Sequence, residues 1–292
     1  MTKRIIIYHD DADGRCAAAI AAMHGRRIHG HGMEVKFIPM DYGKKIPDGV
    51  LAGFVPSSIE NDVWLLDFSL PEDEMDALES IAGVESLMWI DHHVTAIEKL
   101  ARFEHWSGVR RSGRAACMLT WVFCGGSEEA APLAVQLIAD RDTWKFEYGA
   151  KSHWFHAALD LYDTRPENIE LWEFAWLRPQ AQMELMLIEG RAIYDARRKK
   201  LATVIRRFGR VEKLHGTDMT VLSVNYPGSG DLGEIGREMG HDVVHSYVDQ
   251  EKDGRLCRVH NLYSSKDIDV GRLAKERGGG GHKNAAGWVV RL

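Results

Sequence analysis

Short apolar runs recur along the first third of the chain, each bounded by polar residues. Arg4–Tyr8, Val35–Met40, Val63–Phe68 and Ser86–Ile90 have the length and the β-branched or large apolar content of buried strands. The alanine-rich stretch Arg15–His24 reads as a helix, and Pro71–Ile81 as another, with Pro near its start and acidic residues in its first turn. Ala115–Phe123 and Ala131–Ala139 read as further helices. This alternation predicts an α/β fold, with a mostly parallel sheet flanked by helices. From Pro166 to Phe208 the composition shifts to Leu, Met, Ala, Glu, Gln and Arg, and Glu184–Arg207 reads as one long helix. Beyond His215, strands are expected at Met219–Val224, Val243–Val248 and Arg255–Tyr263, helices at Leu232–Met239 and Val270–Arg277, and a closing strand at Trp288-Val289-Val290. The chain therefore divides into a larger domain over 1–183, a helical linker over 184–212 and a smaller α/β domain over 213–292, without an internal repeat.

Composition narrows the function. At 45% hydrophobic and 27% charged residues over 292 positions, a packed core is expected. The formal net charge of −6 argues against sequence-blind binding of long duplex nucleic acid. It leaves room for a short phosphate-bearing substrate, because metal ions supply positive charge locally. Cys16, Cys117, Cys124 and Cys257 form no C-x-x-C pair and read as free, buried thiols, which fits a reducing cytoplasm. The apolar run Ile5-Ile6-Ile7 is too short for a signal peptide or a membrane span, so a soluble cytoplasmic protein is expected.

Three predicted strands end in acidic or histidine residues: Tyr8 into His9, Leu66 into Asp67, and Ile90 into Asp91. In open α/β sheets functional groups collect beyond the carboxyl ends of strands. His9-Asp10-Asp11-Ala12-Asp13-Gly14 crowds His9, Asp11 and Asp13, whose carboxylates repel unless a cation or proton neutralises them. The same residues could simply cap the next helix. Asp67 alone is a weak signal. Asp91-His92-His93 is either a solvated turn or a histidine ligand with an acid to orient it. Asp140 and Asp142 flank Arg141, as a surface ion-pair cluster or with one acid completing a metal shell. Together these places supply enough oxygen and imidazole ligands for two divalent cations about 3.5–4 Å apart, the arrangement that phosphate hydrolysis uses. Near the end, Gly278–Gly281 precede His282 and Lys283, and bare glycine N–H groups can wrap a phosphate. Arg110, Arg111 and Arg114 could bind phosphate or form a solvated helix start.

With these motifs in order, nearly the whole chain resembles the DHH phosphoesterase superfamily, in its branch with a DHHA1 carboxyl-terminal domain. His9–Gly14 is similar to the first motif, Asp67 to the second, Asp91-His92-His93 to the tripeptide that names the family, and Asp140 to the fourth. Gly279–His282 with Ala285-Ala286-Gly287 is similar to the DHHA1 signature. The resemblance implies a two-domain architecture with the active site in the interdomain cleft. It implies two Mn²⁺ ions, with Mg²⁺ or Co²⁺ as substitutes, held by His9, Asp11, Asp13, Asp67, His92 and Asp140, with Asp67 bridging. His93 would face the scissile phosphate and Asp91 would buttress the histidines. Gly279, Gly280, Gly281 and His282 would grip the substrate; Arg114 is a candidate phosphate contact from its place beside Arg110 and Arg111 alone, not from the resemblance. The family pattern Ser-x-Arg-Ser reads here as Asn261-Leu262-Tyr263-Ser264, so Tyr263 replaces an arginine and could stack on a base. The implied activity is a phosphodiesterase that cleaves short single-stranded oligonucleotides or dinucleotides to mononucleotides by attack of metal-bound hydroxide. The alternatives are a phosphoanhydride hydrolase, such as an exopolyphosphatase or pyrophosphatase, and a catalytically silent nucleotide-binding protein. The oligomeric state is open, with a homodimer among the options.

Overall fold

The computed structural model describes residues 3–30, 32–41, 44–50, 61–177, 183–252, 254–265 and 267–292. It divides into two compact units, residues 1–193 and 194–292.

In the first unit, strands β1 (Lys3–His9), β2 (Glu34–Met40), β3 (Asn61–Leu66) and β4 (Leu87–Ile90) form a four-stranded sheet in the order β2-β1-β3-β4, and every pair is parallel. Helices α1 (Ala12–His29), α2 (Glu72–Ala82), α3 (Val94–Lys99), α4 (Ala116–Phe123), α5 (Leu133–Asp142) and α6 (Ala150–Ala158) complete it. The side-chain alternation of a strand sorts the core into two layers. Ile6, Tyr8, Trp64, Leu66 and Ile90 pack with the buried alanines of α1 and with α4 and α5. Ile5, Ile7, Val63, Leu65 and Trp89 pack on the other face with Met75 and Leu78 of α2 and with Phe103 and Trp106. Both faces are covered, which is why these strands read as continuous apolar runs.

Helix α7 (Glu184–Phe208) runs across the boundary between the units. The second unit contains β5 (Gly209–Lys213), β6 (Thr220–Asn225), α8 (Gly230–Glu238), β7 (Val243–Lys252), β8 (Arg255–Ser264), α9 (Val270–Lys275), β9 (Gly280–His282) and β10 (Ala285–Arg291). Its six strands run β5-β6-β7-β8-β10-β9 and form a mixed sheet, parallel only between β6 and β7. Leu222, Val224, Val244 and Tyr263 face α8, and Val221, Leu262, Ala286 and Trp288 face α9. The predicted α/β class and both sheets are therefore present. All four cysteines are buried and free. Among the described residues no helix is long and apolar enough to cross a membrane.

Candidate metal centre

Parallel pairing brings the carboxyl ends of β1, β3 and β4 to one sheet edge, and the polar residues that follow each strand meet there. His9 closes β1. Asp11 caps α1, with Oδ1 accepting from the Gly14 amide at 3.0 Å, and its Oδ2 lies 3.1 Å from His9 Nδ1. Gly14 is required by this tight entry into α1, because a Cβ there would stand 2.1 Å from the His9 carbonyl oxygen. Asp13, buried in the first turn, accepts at Oδ2 from Ala116 N (2.7 Å) and at Oδ1 from Cys117 N (2.8 Å). The amino end of α4 thus fixes a buried carboxylate, as exposed amides and the helix dipole favour.

Asp67 follows β3 with φ of 54°, left-handed backbone outside glycine, and its amide donates to Ile90 O at 2.9 Å. That turn points a carboxylate of 1% exposure between two histidines. His92 Nε2 is 3.1 Å from Asp67 Oδ1, and His9 Nδ1 is 3.7 Å from Asp67 Oδ2. His92 Nε2 also lies 3.8 Å from Asp13 Oδ2 and 3.6 Å from Asp142 Oδ2. Asp91, fully buried, organises the tripeptide. Its Oδ1 accepts from His92 N (2.6 Å), His93 N (3.1 Å) and His93 Nδ1 (2.7 Å), and Ser69 Oγ donates to its Oδ2.

Several buried carboxylates crowd one another at this edge. Burial drives the Asp67 carboxyl well above the usual carboxylate range, and the charge of Asp13 adds to this while the hydrogen bond with His9 opposes it. Burial also raises Asp142, with Asp13 acting the same way and His92 opposing. Burial would lower His9, but its hydrogen bonds with Asp11 and Asp67 push it up to about 10. Asp11 stays below its ordinary value despite burial, because His9 is its partner. Asp91 is likewise low despite burial, held by His93 and Ser69. Asp67 Oδ1 and Asp142 Oδ2 are buried without a hydrogen-bond partner. Three sets of ligand atoms fall within 4.8 Å of one another: His9, Asp11 and Asp67; Asp67, His92 and His93; and Asp13, His92 and Asp142. Orphaned carboxylate oxygens among like charges, with imidazole nitrogens beside them and no thiol, fit hard or borderline divalent cations.

Not every residue expected at the centre is there. Asp142 stands where the resemblance favours Asp140. The predicted helix stops at Ala139, whereas α5 continues to Asp142, so residues 140 and 142 point about 200° apart around the helix. Asp140 faces away and accepts from Glu147 N (2.7 Å), Tyr148 N (3.2 Å) and Ser152 Oγ. Arg114 is also elsewhere, paired with Glu128 at 3.2 Å beside a cavity of about 320 Å³ that it shares with Asp140 and Lys145. Arg110 is structural, with its guanidinium donating to the carbonyls of Trp89, Trp106, Ser107 and Glu104. Tyr263 is a core residue, not a surface platform. Its ring packs against Gly233 of α8, and burial pushes its hydroxyl up to about 12. The glycine run is a tight hairpin. β9 pairs with β10, and a Cβ on Gly279 would stand 2.0 Å from the Gly287 carbonyl oxygen, so close packing requires glycine there. His282 is exposed at the end of β9.

The sequence carried no sign of Ser69 as the Asp91 partner, of Phe68 stacked on His9 at 6.1 Å, or of a cavity of about 360 Å³ beside both, rimmed by Lys44, Lys45 and Lys99. Longer helical spacing past Ala139 is the one signal that separates Asp142 from Asp140.

A four-stranded parallel sheet followed by a mixed six-stranded sheet, with histidines and aspartates converging at the carboxyl edge of the first, is the fold seen in solved DHH-domain structures. The chain is similar in structure to the DHH domain of a member of a ribosomal-protein family, with TM-score 0.59 and 14% identity over 100% of this chain and 83% of that one. It is also similar to a pGpG-specific phosphodiesterase from Vibrio cholerae, with TM-score 0.53 and 13% identity over 99% of this chain and 94% of that one. No family model and no curated protein matches the sequence.

Proposed function

We infer that the protein is a divalent-metal-dependent phosphodiesterase that cleaves short oligonucleotides or dinucleotides to mononucleotides. The observation that carries this reading is Asp67, a strained and buried carboxylate shared between two ligand sets, whose Oδ1 lacks a hydrogen-bond partner. Two Mn²⁺ ions fit, with Mg²⁺ or Co²⁺ as substitutes. His9, Asp11 and Asp67 would hold one; Asp13, His92, Asp142 and the shared Asp67 would hold the other. When bound, the cations supply Lewis acidity toward water and toward the phosphoryl oxygens. The chain's own groups do the rest. Asp91 orients the His93 ring through Nδ1, and His93 would face the scissile phosphate as a charge stabiliser or proton donor. Asp13, anchored by two α4 amides, keeps its oxygens at fixed positions, as preorganised catalysis requires. The lysine-rimmed cavity beside Phe68 and Ser69 offers positive charge to an anionic substrate. Residues 1–183 would carry the chemistry and residues 213–292 the grip on substrate through Gly279, Gly280, Gly281 and His282. Cleavage of a pGpG-type linear dinucleotide is the nearest expectation, since the phosphodiesterase from Vibrio cholerae shares the fold.

The test is turnover with Mn²⁺ across a five-residue RNA, linear and cyclic dinucleotides, and polyphosphate. His92→Ala and Asp142→Ala each reduce turnover by on the order of 100-fold or more while the protein still folds. His282→Ala acts mainly on KM. Turnover of polyphosphate alone, or wild-type rates in either of the first two variants, would sink this reading.

A further inference from the structure

Asp140 and the loop that follows α5 form a feature that the catalytic centre does not use. After Asp142 the chain passes through Trp144 at φ 55° and Phe146 at φ 54°, with Lys145 between them. Left-handed backbone at bulky aromatic residues is a genuine outlier. It persists only where the surroundings over-determine it. The restraint here is Asp140, 5% exposed. Its carboxylate accepts from Glu147 N, Tyr148 N and the buried Ser152 hydroxyl, and its backbone oxygen accepts from Lys145 N at 3.1 Å.

The loop holds planar groups in a defined arrangement. The Trp144 and Phe146 rings meet edge to face at 5.7 Å. The Arg141 guanidinium lies over both, 5.4 Å and 5.5 Å from their centroids. The His153 ring stacks on Phe146 at 4.6 Å and 15°. Both aromatic residues remain partly exposed and stand outside the two hydrophobic cores of their unit. Burial would be the default for such rings. The loop instead holds both rings half-buried on left-handed backbone, two and four residues beyond Asp142.

We propose that the 143–149 loop is a nucleobase-stacking platform for the substrate whose phosphate the Asp67 centre takes, with Trp144 and Phe146 as contact residues and Asp140 as the positioning residue; this rests on the phosphodiesterase reading above. Indole, phenyl and guanidinium planes suit the face of a base and tolerate any base, since every base offers a π-face. A polyphosphate has no planar group and gains nothing from them. The platform therefore selects nucleotides over phosphoanhydrides without selecting a base.

The experiment uses the 292-residue chain with Mn²⁺ and compares a linear dinucleotide with its two singly abasic analogues. In the wild type, kcat/KM for the dinucleotide exceeds that of one abasic analogue by roughly tenfold, the scale of one stacking contact. Trp144→Ala brings that ratio to about one, through KM, and Trp144→Phe restores most of it, because both effects scale with the stacked ring. Asp140→Ala leaves the rings in the chain but unfastens them, and lowers the ratio in the same way. Should Asp140→Ala fold poorly, the two Trp144 variants decide the matter alone. A wild-type ratio of one for both analogues, or a ratio that survives in Trp144→Ala, overturns the platform and leaves the phosphodiesterase reading standing. Turnover of none of the three substrates removes that reading and the platform with it.

Discussion

Asp67 concentrates the energetic conflict of the site in one residue. Its backbone occupies a region that costs about 1–3 kcal/mol outside glycine, and its carboxylate is buried next to Asp13 and within the field of Asp11 and Asp142. Asparagine tolerates left-handed backbone as well as aspartate does, so Asp67→Asn removes charge without altering the turn. Without divalent metal, Asp67→Asn should melt above the wild type, because one of several crowded carboxylates has gone. With Mn²⁺ present the order should reverse. Wild type gains stability by mass action, about 2.7 kcal/mol at a hundredfold excess over the dissociation constant, while the variant gains much less. Melting curves in EDTA and in Mn²⁺ check both halves, and a wild type indifferent to every divalent cation contradicts the ligand assignment. His9, Asp11, Asp13, His92 and Asp91 were all legible at this scale, because each follows a strongly apolar strand. Ser69 was not, since its role depends on where Asp91 lies in space, 22 positions along the chain.

Elements were legible where burial imposes a pattern and illegible where it does not. The strands β1, β3 and β4 are buried on both faces and were visible as apolar runs, and the long α7 was visible from composition. Strand β5, Gly-Arg-Val-Glu-Lys, has almost no buried side chain and exists through its pairing with β6, so nothing in its sequence marks it. The end of α5 was misread by three residues, and that shift alone exchanges Asp140 for Asp142. On the second sheet, β6, β7 and β8 carry a feature with a pH consequence. Ser223 Oγ lies 2.8 Å from His245 Nδ1, and His245 Nε2 lies 2.9 Å from His260 Nδ1, with Tyr247 and Trp288 stacked alongside. Burial, then the neighbouring His260, lowers His245 to about 4. A histidine kept neutral in the fold contributes stability that is fully present above its unfolded pKa of about 6.5. As pH falls from there toward 4, the unfolded chain takes up a proton that the folded one refuses. The loss reaches about 3 kcal/mol by the lower limit. His245→Gln keeps a partner for His260 but cannot titrate. Its melting temperature between pH 7 and pH 4 should fall less steeply than that of the wild type, and parallel curves would show that His245 is not the group responsible.

At the scale of the whole molecule, charge decides which substrates the centre can serve. The chain carries 43 acidic against 37 basic side chains, so a long anionic strand meets net repulsion beyond the centre itself. Local attraction comes from the ligand cluster once it holds cations, and from Lys44, Lys45 and Lys99 beside it. On the short-substrate reading proposed above, one or two phosphates take up that attraction, and each further nucleotide adds mainly negative charge. Catalytic efficiency should therefore fall with length, by roughly tenfold or more from a dinucleotide to a strand of about 20 nucleotides, the opposite of a protein that tracks a backbone along a basic groove. Salt gives the same information independently. Each neutralised phosphate of a single strand contributes about −0.7 to the slope of log affinity against log salt, so engagement of two phosphates predicts a slope near −1.4 that does not steepen as the strand grows. Measuring kcat/KM over a length series at several salt concentrations, with Mn²⁺ held constant, tests both. Efficiency that rises with length, together with a slope that steepens in step, would mean that an extended strand-binding surface operates despite the acidic balance, and the short-substrate reading would have to be given up.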